Sequence, residues 1–159
     1  AQYPGPALHV LAREVLAGAA GTTMLALLPT RAAAGVDHQV MMLNKGVKGA
    51  MVYEPDFIVA APGDTVTFVP TDKSHNAESI SGMFPDEATA FKGKLNEQIT
   101  VTVEKEGVYG VKCLPHYAMG MVALIVVGQP VNLEQAKAVR HPGKAKTVFA
   151  ELLAQVPSV

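Results

Sequence analysis

The segment KCLPHYAMGM, residues 112–121, places the single cysteine of the chain close to a histidine and two methionines. Cys113, His116 and Met121 follow the spacing C-x2-H-x4-M and offer a thiolate, an imidazole and a thioether. Soft sulfur donors select copper(I), and imidazole suits copper and zinc. Packing is the alternative explanation, because free cysteine and methionine are ordinary core residues that fill irregular space.

A fourth candidate ligand, His75, lies upstream in the segment TDKSHN. Two imidazoles and a thiolate in one plane, with a weak axial methionine, describe a blue-copper electron-transfer site. Zinc is the nearest chemical competitor, although structural zinc sites are built from cysteine and histidine rather than thioethers. A nucleophilic Cys–His pair is a further alternative, but it needs an orienting third group and an oxyanion hole, and no local protease motif accompanies it.

From Val36 onward, apolar and polar residues alternate with a period of two, which indicates that β-strands position the candidate ligands. Short apolar runs alternate with turn signals, and the runs are VDHQVMML, DTVTFV, QITVTV, GVYGVKC and MVALIVVG. This spacing predicts a mainly β fold, an antiparallel Greek-key β-sandwich. Cys113 would end one strand and Met121 would begin the next. The ligand loop, residues 114–120, would therefore lie at one end of the sandwich, where scaffolds commonly present chemistry.

Residues 132–156 predict two short helices that pack on the sandwich as a C-terminal extension. Asn132 and Gln135 have the spacing of a capping box, and Pro142-Gly143 separates the two helices. The second helix has an apolar face with the i, i+3, i+4, i+7 rhythm, formed by Ala145, Val148, Phe149, Leu152, Leu153 and Val156. About 25 residues cannot bury an independent core, so a separate domain is not expected.

Residues 1–34 predict an export signal. The apolar run VLAGAAGTTMLALL is too short to span a bilayer well, and Ala32-x-Ala34 follows it as a small-residue cleavage pattern. A loosely packed amphipathic helix is the alternative. Cleavage would leave residues 35–159 as one mature domain in the periplasm. A single cysteine in an exported chain cannot form an internal disulfide, so Cys113 is buried, paired with another chain, or bound to something.

Composition excludes some classes of function. The formal net charge is -1 and 17% of the residues are charged, so no basic excess indicates a nucleic-acid partner. No glycine-rich phosphate loop and no G-x-S-x-G motif is present in the sequence.

From Val36 onward the chain resembles the pseudoazurins, a family of bacterial cupredoxins. The resemblance is carried by MLNKGVKGAMVYEPDFIVAAPGDTVTFVPTDKSHNAESI, by GVYGVKCLPHYAMGM and by the two C-terminal helices. It implies one copper ion held by His75, Cys113, His116 and Met121, with Met119 a near neighbour and not a ligand. It also implies a monomeric, non-enzymatic shuttle that carries single electrons to copper nitrite reductase or another periplasmic redox protein. A copper-binding or copper-delivery protein without a redox role is the alternative.

Two residues next to the candidate ligands acquire supporting roles. Asn76 is expected to form a backbone or side-chain hydrogen bond that ties the two ligand segments together and reaches the cysteine sulfur, and a turn asparagine is the alternative. Pro115 has a fixed φ and no N–H, so it would stiffen the ligand loop without donating to the sulfur.

The resemblance further implies a docking face around the copper site. Met51 and Met119 would lie near His116 in an apolar patch. Around them the family pattern places a ring of lysines, which are Lys45, Lys73, Lys92, Lys112 and Lys144. Each alone is more simply a solvated lysine. Together they would orient the protein toward an acidic partner.

Overall fold

The computed structural model describes residues 35–157, which form a β-sandwich of two four-stranded sheets with two helices. The strands are β1 (Asp37–Gly46), β2 (Gly49–Glu54), β3 (Phe57–Ala60), β4 (Asp64–Val69), β5 (Glu78–Ser79), β6 (Ile99–Val103), β7 (Gly107–Lys112) and β8 (Val122–Val127). The helices are α1 (Leu133–Lys137) and α2 (Ala145–Ala154). Neither is long and apolar enough to cross a bilayer. The expected export signal, residues 1–34, lies outside the described residues.

The sandwich is confirmed, but its sheets are mixed rather than purely antiparallel. One sheet has the order β2-β1-β4-β6 and the other has the order β3-β8-β7-β5. β1 pairs with β4 in parallel and β3 pairs with β8 in parallel, whereas the other named pairs are antiparallel. Alternation of side chains has the same period in both pairings, so the sequence pattern cannot reveal strand direction.

Strand β8 is buried on both faces, which explains its continuous apolar sequence VALIVV. Ala123, Ile125 and Val127 face the core between the sheets, while the alternate residues pack against the helices. The first sheet contributes large apolar residues to the same core, among them Val40, Met42, Val66 and Phe68. The core is therefore closely packed next to β7 and β8, the two strands that flank the ligand loop.

Both predicted helices are present, and α2 buries its apolar face against the outer face of β8. Ala145, Phe149, Leu152 and Leu153 are its buried residues, and they belong to the same cluster as Val122, Leu124 and Val126. Fully burying one such large side chain contributes about 1.5–3 kcal/mol. Helix α2 is therefore fastened to the strand that leads out of the ligand loop.

The predicted capping box at α1 is wrong. Asn132 precedes the helix but makes no side-chain cap. Its Oδ1 accepts from the Val108 N–H at 2.7 Å, and its Nδ2 donates to the Val108 carbonyl at 3.0 Å. Gln135 reaches Asp86 instead of the cap. An asparagine amide satisfies both buried backbone groups of Val108, whereas a helix cap would use only its oxygen.

Two connections leave the sandwich at the same end. The segment after β4 carries His75, and the turn between β7 and β8 carries the ligand loop. Cys113 and Met121 lie one residue outside the strands, yet the Cys113 N–H still donates to the Met121 carbonyl at 3.0 Å. This hydrogen bond extends the pairing of β7 with β8 by one step, so both residues lie at the base of the loop.

Candidate metal centre

Three of the predicted ligands converge at this end of the sandwich. The ligating atoms of His75, Cys113 and His116 all lie within 4.8 Å of one another. The Cys113 Sγ lies 3.7 Å from Nδ1 of His75 and 3.5 Å from Nδ1 of His116, and the two Nδ1 atoms are 3.1 Å apart. Metal–donor bonds of about 2.0–2.3 Å place donors on one ion roughly 3–4 Å apart. The spacing of these three atoms therefore fits a single transition-metal ion.

The backbone of the loop holds Met121 next to Cys113 and His116. Its N–H donates to the His116 carbonyl at 3.2 Å, and the His116 N–H donates to the Cys113 carbonyl at 3.2 Å. The side chain of Met121 is fully buried in the cluster that contains Cys113. The fourth candidate ligand is thus fixed by the turn that fixes the second and third.

Burial sets the electrostatics of the centre. His75 and Cys113 are buried, whereas His116 is half-buried. Burial lowers the pKa of His75, and neighbouring His116 lowers it further. Burial also raises the pKa of the Cys113 thiol, against hydrogen bonds from the backbone N–H groups of Asn76 and His116. A cation among these atoms reverses the preference of the sulfur, because a coordinating thiol is deprotonated.

Asn76 makes the tie that the sequence predicts. Its Oδ1 accepts from the Leu114 N–H at 2.8 Å, which joins the His75 segment to the ligand loop. Its Nδ2 donates to the Gly93 carbonyl at 3.1 Å and to Glu78 Oε2 at 3.3 Å. The Tyr53 hydroxyl donates to the backbone carbonyl of Asn76 at 2.6 Å. Asn76 is therefore a buried junction rather than a simple turn asparagine.

Asn44 is a supporting residue that the sequence reasoning missed. The His75 Nε2 donates to Asn44 Oδ1 at 2.9 Å. An amide oxygen can only accept, so this bond assigns the proton to Nε2 and leaves Nδ1 free to bind a metal. Asn44 lies 31 residues before His75, on β1. No local spacing links the two residues, because their contact depends on the parallel pairing of β1 with β4.

The remaining predicted residues of the ligand loop lie at its surface. Pro115 is exposed in the turn. Met119 is 48% exposed and Leu114 is 52% exposed, so the loop presents apolar side chains to solvent beside half-buried His116. Met51 is half-buried and packs against the core cluster that includes Cys113.

The predicted ring of lysines divides into two groups. Lys45, Lys73, Lys92 and Lys144 are exposed, and none forms an ion pair with any of residues 35–157. Lys112 differs, because its ammonium group is paired and partly buried. Its side chain is 23% exposed, with Nζ 3.4 Å from Glu78 Oε1 and 5.1 Å from the centre of the Tyr117 ring. Buried Glu78 therefore compensates the charge of Lys112. The ammonium group of Lys112 also contacts Tyr117 in the ligand loop.

Comparisons with known proteins agree with this arrangement. The family described as copper-binding proteins of the plastocyanin/azurin family matches residues 40–128. The pseudoazurin of Paracoccus pantotrophus is 52% identical over 139 residues, which cover 87% of this chain and 94% of that protein. A putative pseudoazurin of Rhizobium leguminosarum bv. viciae is 54% identical over 121 residues, which cover 76% and 80%. The crystal structure of native pseudoazurin from Hyphomicrobium denitrificans matches with a TM-score of 0.74 and 46% identity, over 77% of this chain and 100% of that one.

Proposed function

The chain belongs to the pseudoazurins, blue-copper electron carriers of the cupredoxin fold, and we propose that it passes single electrons to a copper nitrite reductase or another periplasmic redox protein. Pseudoazurins bind copper and are not enzymes. The observation that carries the proposal is the convergence of two imidazole nitrogens and one thiol sulfur beside a half-exposed apolar surface.

The proposed ligands are His75, Cys113, His116 and Met121. Copper, when bound, supplies a one-electron change between copper(I) and copper(II). Sulfur donors favour the reduced ion, and imidazoles also suit the oxidised ion, so this mixed set is compatible with both. The chain holds the donors in place through Asn44, which orients His75, and through Asn76, which fastens the start of the loop. Fixed donors limit the rearrangement that accompanies each transfer.

His116 is the proposed exit for the electron. It is half-buried, whereas His75 and Cys113 are enclosed, so a partner can approach only one of these three donors closely. Leu114 and Met119 are exposed in the same loop and offer an apolar contact. Such a contact suits a short-lived complex, because it carries few directional bonds that would slow dissociation.

The exposed lysines are proposed to steer an acidic partner to this apolar contact. Unpaired cations on one face raise the rate of association with an oppositely charged surface, and salt screens the effect. The lysines proposed to steer the partner are Lys45, Lys73, Lys92 and Lys144. Lys112 contributes less to steering because its ammonium group is paired with Glu78.

Location and assembly follow from the same proposal. Residues 1–34 would direct export, and residues 35–159 would act in the periplasm as a monomer. Expression of the full chain in a Gram-negative host, with cell fractionation and N-terminal sequencing, tests export and cleavage, and size-exclusion chromatography of the mature chain tests the monomer. Recovery of the uncleaved chain from the cytoplasm would contradict the proposed export.

Addition of copper(II) to the apoprotein separates electron transfer from copper delivery. A tightly held, intensely blue species that ascorbate bleaches reversibly supports the electron carrier. Colourless copper that a chelator removes readily supports the delivery protein instead. The test needs no knowledge of the physiological partner.

Charge reversal at two lysines tests the docking face. We expect Lys45→Glu combined with Lys73→Glu to slow electron transfer to copper nitrite reductase severalfold at low salt, without changing the visible spectrum. The matched control is Lys105→Glu combined with Lys137→Glu, which changes the net charge equally at lysines that pair with Glu87 and Glu134. Stopped-flow rates across an ionic-strength series measure the difference. Equal slowing by both variants would show that only net charge matters.

A further inference from the structure

The connection between α1 and α2, residues 138–144, packs on the ligand loop. The Tyr117 hydroxyl donates to His141 Nδ1 at 2.6 Å, and the Lys144 N–H donates to the Ala118 carbonyl at 2.9 Å. Gly143 has a φ of +51°, and a Cβ at this position would collide with the Ala118 carbonyl. The two residues that follow His116 therefore rest directly on this connection.

The chemistry of the Tyr117–His141 pair assigns a direction to its hydrogen bond. A neutral imidazole nitrogen is a better acceptor than a phenol oxygen, so the hydroxyl donates to Nδ1 and the imidazole proton lies on Nε2. Burial lowers the pKa of His141, which favours the neutral ring. The ring also lies against Phe149, with ring centres 4.3 Å apart.

Among the described residues, the Tyr117 hydroxyl is the hydrogen-bond partner of the His141 ring. Its Nε2 is buried and has no hydrogen-bond partner among residues 35–157. Leaving a buried donor unpaired is costly, so natural proteins avoid it unless other contacts hold the group in place. Here those contacts are the Tyr117 hydroxyl and the Phe149 ring.

Tyr117 is held on a second side as well. The Lys112 ammonium lies 5.1 Å from the centre of its ring and is paired with Glu78, which also accepts from Asn76. The ligand loop is thus held at Leu114 by Asn76 and at Tyr117 by His141. His116 lies between these two points.

We propose that His141 is a positioning residue for the copper site, which acts by accepting the hydroxyl of Tyr117 and so holding the backbone that carries His116. The inference rests on the proposed role of His116 as a ligand. It assigns a function to the helical extension, which fastens the loop just after His116, at Tyr117 and Ala118, whereas Asn76 fastens it just before His116, at Leu114. The residue that acts is a histidine outside the ligand set.

Hydrogen exchange in the apoprotein tests the positioning without copper. The reporters are the amides of Met119, Gly120 and Met121, which donate to the carbonyls of His116 and Tyr117. We expect Tyr117→Phe and His141→Phe each to speed their exchange about fivefold, as the loss of one net hydrogen bond of about 1 kcal/mol predicts. The double variant should be no faster than either single variant. Unchanged exchange, or additive effects in the double variant, would overturn the proposal.

Tyr109→Phe is the matched control, because the Tyr109 hydroxyl donates to the Lys105 carbonyl at 2.7 Å and does not contact the loop. It should leave the three reporter amides unchanged. Equal acceleration of the strand amides of Val111 and Val126 in the Tyr117 and His141 variants would indicate general destabilisation and overturn positioning. Should either variant fail to fold, the ¹⁵N shift of His141 Nδ1 in the wild-type apoprotein decides. A hydrogen-bonded, unprotonated Nδ1 supports the proposal, and a protonated Nδ1 overturns it.

Copper release provides the second measurement. From copper-loaded protein, we expect a chelator to remove the metal about fivefold faster in His141→Phe than in the wild type, with no further gain in the double variant. Equal release from wild type and His141→Phe would overturn the proposal. Failure of the wild-type apoprotein to bind copper would refute the proposed ligands instead. The hydrogen-exchange experiment uses no copper, so it would still test the positioning of the loop by His141.

Discussion

The two ends of the sandwich fix their side chains by different means. At the ligand end, neutral amides orient the donors, since Asn44 bonds His75 and Asn76 bonds the Leu114 backbone. At the opposite end, which we call the far end, a carboxylate is the centre. Asp64 accepts from the backbone N–H groups of Val36 and Ala61 at 2.8 and 2.9 Å, and its Oδ2 lies 2.9 Å from His38 Nε2.

The difference reflects what each end must do. A carboxylate is a good acceptor for several donors and ties a strand terminus strongly. Beside a redox metal, however, a fixed negative charge would favour copper(II) and oppose reduction. Amides supply directional hydrogen bonds without a net charge, so they orient the ligands while adding little to the field at the site. The buried carboxylate of Glu78, which accepts from Asn76, is compensated by the ammonium group of Lys112. The far end has no such restriction.

The strongest test of the ligand end removes the sulfur. We expect Cys113→Ser to abolish the blue colour and reversible copper reduction, because the hydroxyl is a hard and weakly acidic donor. The β-sandwich should remain, since serine is smaller than cysteine and the core around it is otherwise intact. Visible spectroscopy, voltammetry and circular dichroism measure these properties. Retention of the intense visible band would refute the ligand assignment.

The next test weakens the ligand end without touching a ligand. Asn76→Ala removes the acceptor of the Leu114 N–H and two donors to buried oxygens. We expect the free energy of unfolding of the apoprotein to fall by about 1–3 kcal/mol and copper to be released faster. Urea denaturation and chelator competition measure the two effects.

Asn132→Ala is the matched control for Asn76→Ala. This second buried asparagine also bonds to backbone, but at Val108, away from the ligands. It should lower stability similarly and leave the rate of copper release unchanged. Equal acceleration of release by both substitutions would mean that general stability, and not the Asn76 tie, retains the metal.

The sequence predicts the local parts of this arrangement better than the long-range parts. The spacing of Cys113, His116 and Met121 lies within one turn, and the strands that flank this turn follow from alternation. The role of Asn44 depends on the parallel pairing of β1 with β4, which alternation does not encode. The pairing of Lys112 with Glu78 and the bond of Asn132 to Val108 likewise join residues that only tertiary packing brings together. The ligand assignment itself stays a prediction until metal is bound.

The smallest expected effect is at the far end, and its signature is a dependence of the free energy of unfolding on pH. Hydrogen bonds from the Ala61 N–H, His38 and the Val36 N–H lower the pKa of Asp64 to about 2. A carboxyl whose pKa is lower in the folded than in the unfolded chain stabilises the fold above its unfolded value of about 3.9, and this contribution is lost as the pH falls through the folded value.

We therefore expect Asp64→Asn to lower the free energy of unfolding at pH 7, with a difference from wild type that shrinks between about pH 5 and pH 2. Asp37 also has a lowered pKa, through the hydroxyls of Thr65 and Thr67, but it is present in both proteins and cancels in the difference. Urea denaturation of the apoprotein across this range measures the effect, with exposed Asp86→Asn as the control. The blue colour at neutral pH should be the same in wild type and Asp64→Asn, because Asp64 acts at the end of β4 opposite to His75. A destabilisation that persisted undiminished at pH 2 would show that the shape of the side chain, rather than its charge, holds the far end together.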